Sequence, residues 1–261
     1  MTVKRLVLAS AIASALFWSS AHAADVASDP ITPDMVPGWK FQATAYGWLT
    51  AINGDVGIRD LPPASVDISA VDVLKNLDGA LMGSILAQNG DWFILGDLIW
   101  AKLSDSAHVG PVIGDVDFNM TQVIASGIVG YKLPLGLPEN VELSATAGLR
   151  YQYIKGQLGI APAYFPGISR QGTEDWIDPI VGLSLRYQVN ERWFVNALAD
   201  IGGFGVGSDF TAQGFASVGY MWTPSISTAV GYRAIYADYE NNGFVYDATQ
   251  HGLFTSVGFH F

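Results

Sequence analysis

Polar and apolar side chains alternate along most of this chain. In the stretch VELSATAGLRYQY, every second position from Val141 to Tyr153 is apolar, and the positions between them are polar or glycine. Successive side chains of a β-strand point to opposite faces, so this pattern predicts a strand with one apolar and one polar face. The same alternation recurs in WKFQATAYGWLT and DWIDPIVGLSLRYQ. The fold class is therefore predicted to be all-β.

The alternating segments predict about ten strands of the length that a tilted strand needs to cross a membrane, and eight or twelve also fit. They are expected near 39–51, 77–88, 91–104, 116–132, 141–156, 175–189, 192–204, 211–222, 226–239 and 249–261. Tight and longer connections follow one another along the chain. We therefore expect a closed antiparallel transmembrane β-barrel, in which the tight turns and both chain ends lie on one side of the membrane. The longest loop contains VDVLKNL, which is expected to form a helical turn.

The first residues have the pattern of an export signal. Lys4 and Arg5 precede a short apolar run, and Ala21-His22-Ala23 has the small residues of a cleavage site. We expect a signal peptide over 1–23, a flexible periplasmic leader over 24–37 and an outer-membrane barrel over 38–261.

Composition excludes several classes of protein. The formal net charge of −11 makes nucleic acid an unlikely partner, because binding to phosphates depends on Lys and Arg. The chain has no cysteine, so it does not belong to the small disulfide-stapled folds. No cofactor and no metal site is expected.

Aromatic residues indicate which face of the barrel is outside. Tyrosine and tryptophan lie on the apolar face near strand ends, where rings of amphipathic side chains mark the two membrane interfaces of a barrel. A soluble barrel would have to bury these rings without polar partners. The predicted interface girdle consists of Trp92, Trp100, Tyr131, Tyr151, Tyr187, Trp193, Tyr220, Trp222 and Tyr232.

The opposite face carries charges and is predicted to line the lumen. Two interpretations stay open for these charges: a salt-bridged, largely closed interior, or a narrow polar pore whose charges select solutes. Small barrels are generally filled by side chains, which favours closure or a narrow passage. The predicted lumen residues are Lys40, Asp97, Glu142, Arg150, Asp178, Arg186, Asp200 and Arg233.

The chain ends on SVGFHF, which places Phe259 and Phe261 on one face of the closing strand. The signal peptide, the cysteine-free alternating strands and this terminal aromatic strand together resemble the outer-membrane β-barrel proteins of Gram-negative bacteria. More narrowly, DWIDPIVG, DIGGFGVGSD, AVGYR and DATQHG resemble a widespread, uncharacterised family of small porin-like barrels. The resemblance implies location in the cell outer membrane, contact with membrane lipid and lipopolysaccharide, and recognition of Phe259 and Phe261 by the barrel-assembly machinery. It implies no activity and no oligomeric state.

Three classes of function remain open. We expect a structural protein or a narrow porin-like channel for small solutes, with a surface-binding or adhesion barrel as the alternative. A barrel enzyme, either a protease or a lipid-modifying enzyme, is disfavoured. No His-x-Ser or Asp-x-His pair sets an imidazole beside a nucleophile or a carboxylate on one strand face, around His108, His251 or His260. The chain is therefore expected not to be an enzyme and to have no catalytic residues.

Overall fold

A computed structural model describes residues 38–57, 63–108, 115–161 and 168–261 of the chain. The expected signal peptide and leader lie outside the described residues. The described elements are β1 (Trp39–Gly57), β2 (Ala64–Ile68), α1 (Ala70–Lys75), β3 (Leu77–Asn89), β4 (Trp92–His108), β5 (Asp115–Lys132), β6 (Val141–Ala161), β7 (Ile168–Gln188), β8 (Trp193–Gly203), β9 (Phe210–Thr223), β10 (Ile226–Asn241) and β11 (Phe244–His260). No helix within these ranges is long and apolar enough to span a membrane.

Ten of the strands close into an antiparallel barrel. Neighbours in the chain pair with each other from β3 to β11, and β1 pairs with both β3 and β11. The closing register runs from Gln42 opposite His260 to Gly57 opposite Val245, and the Phe261 N–H donates to the Phe41 carbonyl at 2.9 Å. Closure leaves no unpaired sheet edge, which a strand in lipid cannot tolerate. The predicted ten-strand barrel is confirmed.

The two ends of the barrel differ. At the turn end lie the connections 90–91, 133–140, 189–192 and 224–225, together with Trp39 and Phe261. The other end is called the loop end here, and among the described residues it carries α1 and the connections 204–209 and 242–243. The start of β1 and the residue Phe261 thus lie at the same end as the tight turns, and the assignment of this end to the periplasm remains a prediction.

An eleventh strand and a helix fill the first long connection. The upper part of β1 pairs with β2 over Ile52–Val56, while its lower part pairs with β3 over Trp39–Ala45. Ser69 caps the N-terminus of α1, where its hydroxyl accepts a hydrogen bond from the Asp72 amide at 3.2 Å. The helical turn in VDVLKNL is confirmed, and β2 was not predicted from the sequence.

Burial in the membrane-spanning part of the barrel is inverted. Apolar side chains face outward, and Leu81 and Val230 are 63% and 62% exposed. Charged side chains lie inside, where Arg150 and Asp178 are fully buried. A large apolar outer surface is stable only against lipid. The expectation of a transmembrane barrel with a polar interior is confirmed.

The inversion ends above the membrane. Towards the loop end, Tyr239 and Tyr246 point inward and are buried, whereas their neighbours Asp238 and Asp247 lie on the outer face. Water replaces lipid outside this part of the wall, so the polar face turns outward as in a soluble protein. The strands also extend further here than predicted, because β6 and β7 reach 21 residues each.

Candidate functional site

The lumen is crossed at mid-height by a layer of hydrogen-bonded charges centred on Arg233. Its guanidinium donates from Nη2 to Asp97 Oδ2 at 2.7 Å and from Nη1 to the Tyr46 hydroxyl at 3.1 Å. The Tyr46 hydroxyl in turn donates to Asp97 Oδ1 at 2.6 Å. Arg233 also lies 5.4 Å from the centre of the Trp48 ring, within cation–π range. These contacts join β10 to β1 and β4 across the lumen.

A second arginine continues this layer. Arg150 Nη2 donates to both carboxylate oxygens of Asp200, at 2.8 and 2.9 Å, and the two side chains are 0% and 1% exposed. Gln213 connects the two ion pairs, because its amide oxygen accepts from Arg233 at 2.8 Å and its amide nitrogen donates to Asp200 at 3.1 Å. The mid-lumen charges thus form one continuous network.

Asp178 anchors the connection between β8 and β9. Its carboxylate accepts from the Ser208 amide and hydroxyl at 2.6 Å each and from Trp176 Nε1 at 3.1 Å. Gly207 lies against this carboxylate, and a Cβ atom there would be 2.5 Å from the Ile177 carbonyl oxygen. The glycine is therefore required for the connection to fold into the barrel over Asp178.

The structure brings five of the predicted lumen residues together and separates the other three. Asp97, Arg150, Asp178, Asp200 and Arg233 meet at mid-height. At the turn end lie Lys40, Glu142 and Arg186. Lys40 is exposed, Glu142 accepts from Gln88 Nε2 at 3.3 Å, and Arg186 lines a cavity.

Sequence analysis missed two uncharged members of the network. Tyr46 and Gln213 bridge the ion pairs, and both alternate in phase with predicted lumen positions on their strands or on neighbouring strands. The lumen residues predicted from the sequence are all charged, so these two uncharged polar side chains are not among them. Strand phase alone would have placed both inside the barrel.

An aromatic cluster lies inside the barrel towards the loop end. The Trp176 and Tyr239 rings stack with centroids 4.0 Å apart and planes 6° apart, and Tyr246 packs against Trp176 at 6.0 Å. Phe244 and Ile52 complete the buried cluster. The lumen therefore contains a polar layer at mid-height and an apolar cluster above it.

Below the polar layer lies a cavity of about 200 Å³. Tyr46, Asp97, Gln213 and Arg233 line its inner end, and Gln42, Gln88, Glu142 and Arg186 line the end near the turns. One wall is apolar and consists of Leu86, Phe93, Leu95, Ile128 and Leu198.

A polar seam follows the inner faces of β5 and β6. It contains four buried atoms without a hydrogen-bond partner among the described residues: Gln122 Nε2, Ser126 Oγ, Arg150 Nε and Gln152 Nε2. Ser126 also lines the turn-end cavity, and Gln122 accepts from Gln250 Nε2 at 2.8 Å towards the loop end. Buried polar groups of this kind are commonly satisfied by internal water.

Most of the predicted girdle aromatics lie on the outer surface, and several pair at the turn end. Ring centroids are 4.7 Å apart for Trp92 and Tyr131, 5.0 Å for Trp193 and Tyr220, and 4.8 Å for Tyr220 and Trp222. Trp100 and Tyr232 are exposed, whereas Tyr151 and Tyr187 are half-buried. Their role at the membrane interfaces remains a prediction.

The terminal aromatics also face outward, with Phe259 and Phe261 43% and 62% exposed. Recognition of these residues by the assembly machinery remains a prediction. Within the described part of the chain, no group of three or more histidines and acids is arranged to hold a metal ion.

Several solved structures are similar to this chain. The outer membrane protease OmpT from Escherichia coli is 12% identical and matches with a TM-score of 0.55 over 88% of this chain and 98% of its own. The translocator domain of the autotransporter NalP from Neisseria meningitidis is 12% identical, with a TM-score of 0.42 over 88% and 90%. Ail from Yersinia pestis, in complex with the heparin analogue sucrose octasulfate, is 12% identical, with a TM-score of 0.32 over 86% and 99%. No protein-family model and no curated protein sequence matches the chain.

The prediction that this chain is not an enzyme is contradicted, because a barrel of the same fold is a protease. That prediction relied on histidine pairs close in sequence, whereas catalytic groups also converge from distant strands. At 12% identity the likeness shows the fold and assigns no activity to this chain. With its closed sheet and apolar outer surface, the chain has the fold of the Gram-negative outer-membrane β-barrel proteins, and the outer membrane is its location.

Proposed function

We propose that this protein is a structural barrel of the outer membrane whose lumen is closed to solutes in its resting state. The observation that carries the proposal is the mid-lumen network, in which Arg233 contacts side chains of β1, β4 and β9. A ten-strand barrel is narrow enough for such side chains to reach across it.

Opening this lumen would be costly. A solute would have to separate the Arg233–Asp97 and Arg150–Asp200 pairs, whose side chains are at most 11% exposed. Separating a buried ion pair costs about 3–5 kcal/mol when one charge is left uncompensated. The stacked aromatics at the loop end form a second barrier in series.

Planar-bilayer recording tests the proposal. We expect folded protein, verified by heat-dependent gel mobility, to give no unitary conductance steps. A variant that removes both ion pairs of the polar layer and the stacked ring above it, Asp97→Ala, Arg233→Ala, Arg150→Ala, Asp200→Ala and Trp176→Ala, is expected to conduct. The matched control is Lys102→Ala, which removes an exposed ion pair with Asp78 and should stay silent. Steps from the unmodified protein would contradict the closed lumen.

A narrow channel is the second candidate, and the polar seam on β5 and β6 favours it. Four unpartnered polar atoms in one stripe provide a path for water that the charged layer does not fill. Stopped-flow swelling of proteoliposomes would measure this path. Gln122→Leu with Gln152→Leu should abolish any water permeability, and permeability that survives these changes would exclude the seam as its route.

The partners also belong to this proposal. Lipopolysaccharide and membrane lipid are proposed to contact the outward apolar surface, and the assembly machinery is proposed to read Phe259 and Phe261. Replacement of both phenylalanines by serine should lower the folded amount in the outer membrane. Unchanged assembly would contradict this role.

A further inference from the structure

The turn-end cavity has two kinds of wall. Leu86, Phe93, Leu95, Ile128 and Leu198 form an apolar wall, whereas the wall on β1, β9, β10 and β11 mixes the rings of Phe215 and Phe254 with the hydroxyl side chains of Thr44, Ser217, Ser227 and Ser256. An apolar pocket with a few converging polar groups is the usual form of a small-molecule site.

The size of the cavity limits its occupant. A cavity of about 150 Å³ holds a benzene molecule, and this one measures about 200 Å³. Along β3 it extends from Gln88 at the turn end to Ser84, which is opposite Asp97. Four residues of a tilted strand span on the order of 10 Å, comparable with the length of extended octanoate. The space thus fits a short alkyl chain or a single aromatic ring.

The charged side chains at the turn end determine which head group a bound molecule can have. Arg186 lines the cavity and makes no hydrogen bond or ion pair with another described residue, although Glu142 is directly opposite it on β6. Glu142 instead accepts from Gln88. Lys40 and Lys132 share the inner face, since they lie opposite Gln88 and Ser144. The inner face at this end therefore carries three cations and one carboxylate within a chain of net charge −11.

We propose that this cavity binds a small amphipathic carboxylate, with its apolar body on the wall formed by β3, β4, β5 and β8 and its carboxylate on Arg186. A guanidinium matches a carboxylate in a bidentate geometry, and Arg186 has its donors free for it. The site is independent of the closed lumen, because the ligand enters and leaves through the turn end.

Binding of radiolabelled octanoate to the protein in lipid nanodiscs tests the proposal, with empty nanodiscs subtracted. We expect saturable binding of one molecule per barrel, with octanol binding more weakly. Arg186→Gln should raise the Kd on the order of tenfold, since a hydrogen bond to a charged group is lost. Arg186→Lys should bind octanoate more tightly than Arg186→Gln but less tightly than the unmodified protein, because lysine keeps the charge and loses the bidentate geometry. The matched control Arg192→Gln changes an exposed arginine at the same end, on the Tyr220 ring, and should bind normally.

Two further variants separate recognition from loss of structure. Arg186→Glu should prefer octylammonium to octanoate, which a misfolded protein could not do. Ser84→Phe places a ring in the cavity and should abolish binding of both probes. Equal octanoate affinity in Arg186→Gln, or binding that does not saturate, would overturn the proposal. Binding seen only after removal of residues 24–37 would also overturn it, because that acidic segment would then be the occupant.

Discussion

Removal of Asp200 should be among the most destabilising single changes in this barrel. Arg150 is fully buried and donates twice to that carboxylate, at 2.8 and 2.9 Å. In Asp200→Ala the guanidinium keeps only the 3.4 Å contact from Nη1 to Thr211 Oγ1. Asp178 lies opposite Arg150 on β7 but makes no hydrogen bond to it, and its carboxylate accepts from Ser208 and Trp176 instead.

The magnitude follows from the burial of the charge. Breaking a buried ion pair by removing one partner costs about 3–5 kcal/mol, because the other charge stays desolvated and uncompensated. Removing both charges avoids that penalty. The double variant Arg150→Met with Asp200→Leu should therefore lie within about 1–2 kcal/mol of the unmodified protein. The coupling energy between the two positions should exceed about 2 kcal/mol.

Reversible urea unfolding in lipid, followed by tryptophan fluorescence, measures these free energies, since the chain contains eight tryptophans. Lys102→Ala serves as the control, because its ion pair with Asp78 is 48% and 38% exposed and should contribute little. If Asp200→Ala unfolded at the same urea concentration as the control, the buried Arg150–Asp200 pair would not stabilise the barrel. A double variant as unstable as the sum of its singles would refute the charge penalty.

Three further predictions concern packing and the helix. Gly130→Val should cost about 1–3 kcal/mol in the same unfolding assay, because a Cβ at this position would lie 2.1 Å from the Phe93 ring; an unchanged midpoint would contradict this contact. Trp176→Ala removes a stacked, buried ring and should lower the free energy of unfolding by about 3–5 kcal/mol. A change near zero would contradict this prediction. Ser69→Ala should accelerate amide exchange in α1 several-fold. The hydrogen bond from the Ser69 hydroxyl lowers the pKa of Asp72. The protection of the α1 amides that depends on this bond should therefore be complete above about pH 4 and be lost as the pH falls through the lowered pKa of Asp72. Exchange independent of pH, after correction for the intrinsic rate, would exclude that link.

The strands were predictable because lipid enforces a simple rule. Every outward side chain in the membrane must be apolar, so the alternation is unbroken from Val141 to Tyr153 and identifies β6 and its faces. About ten strands in a closed antiparallel barrel follow from this alternation with the connection lengths, and the structure fixes the number at ten. The rule stops at the membrane surface, where β6 continues to Ala161 without a clear pattern, and the predicted boundary at 156 is therefore short.

The partners inside the lumen were not predictable from the strands. Register places Arg150 directly opposite Asp178, yet its ion pair is with Asp200, two strands away. The wall of the barrel is curved, so an inward side chain can reach past the adjacent strand. In addition, the Ser208 hydroxyl, which lies in the connection between β8 and β9, donates a hydrogen bond to the Asp178 carboxylate. Adjacency in a flat sheet was therefore a poor guide to contacts in a closed one.

The sequence by itself determined that the chain forms an inverted barrel of about ten strands, because alternation records which side of the wall meets lipid. Only the tertiary structure decided which side chains meet across the lumen. The Arg233–Asp97 pair joins positions 136 residues apart, and Tyr239 and Tyr246 turn inward above the membrane. The ion pair depends on distances across the barrel, and the inward tyrosines depend on the height at which water replaces lipid outside the wall. Neither can be read from the alternation along a single strand.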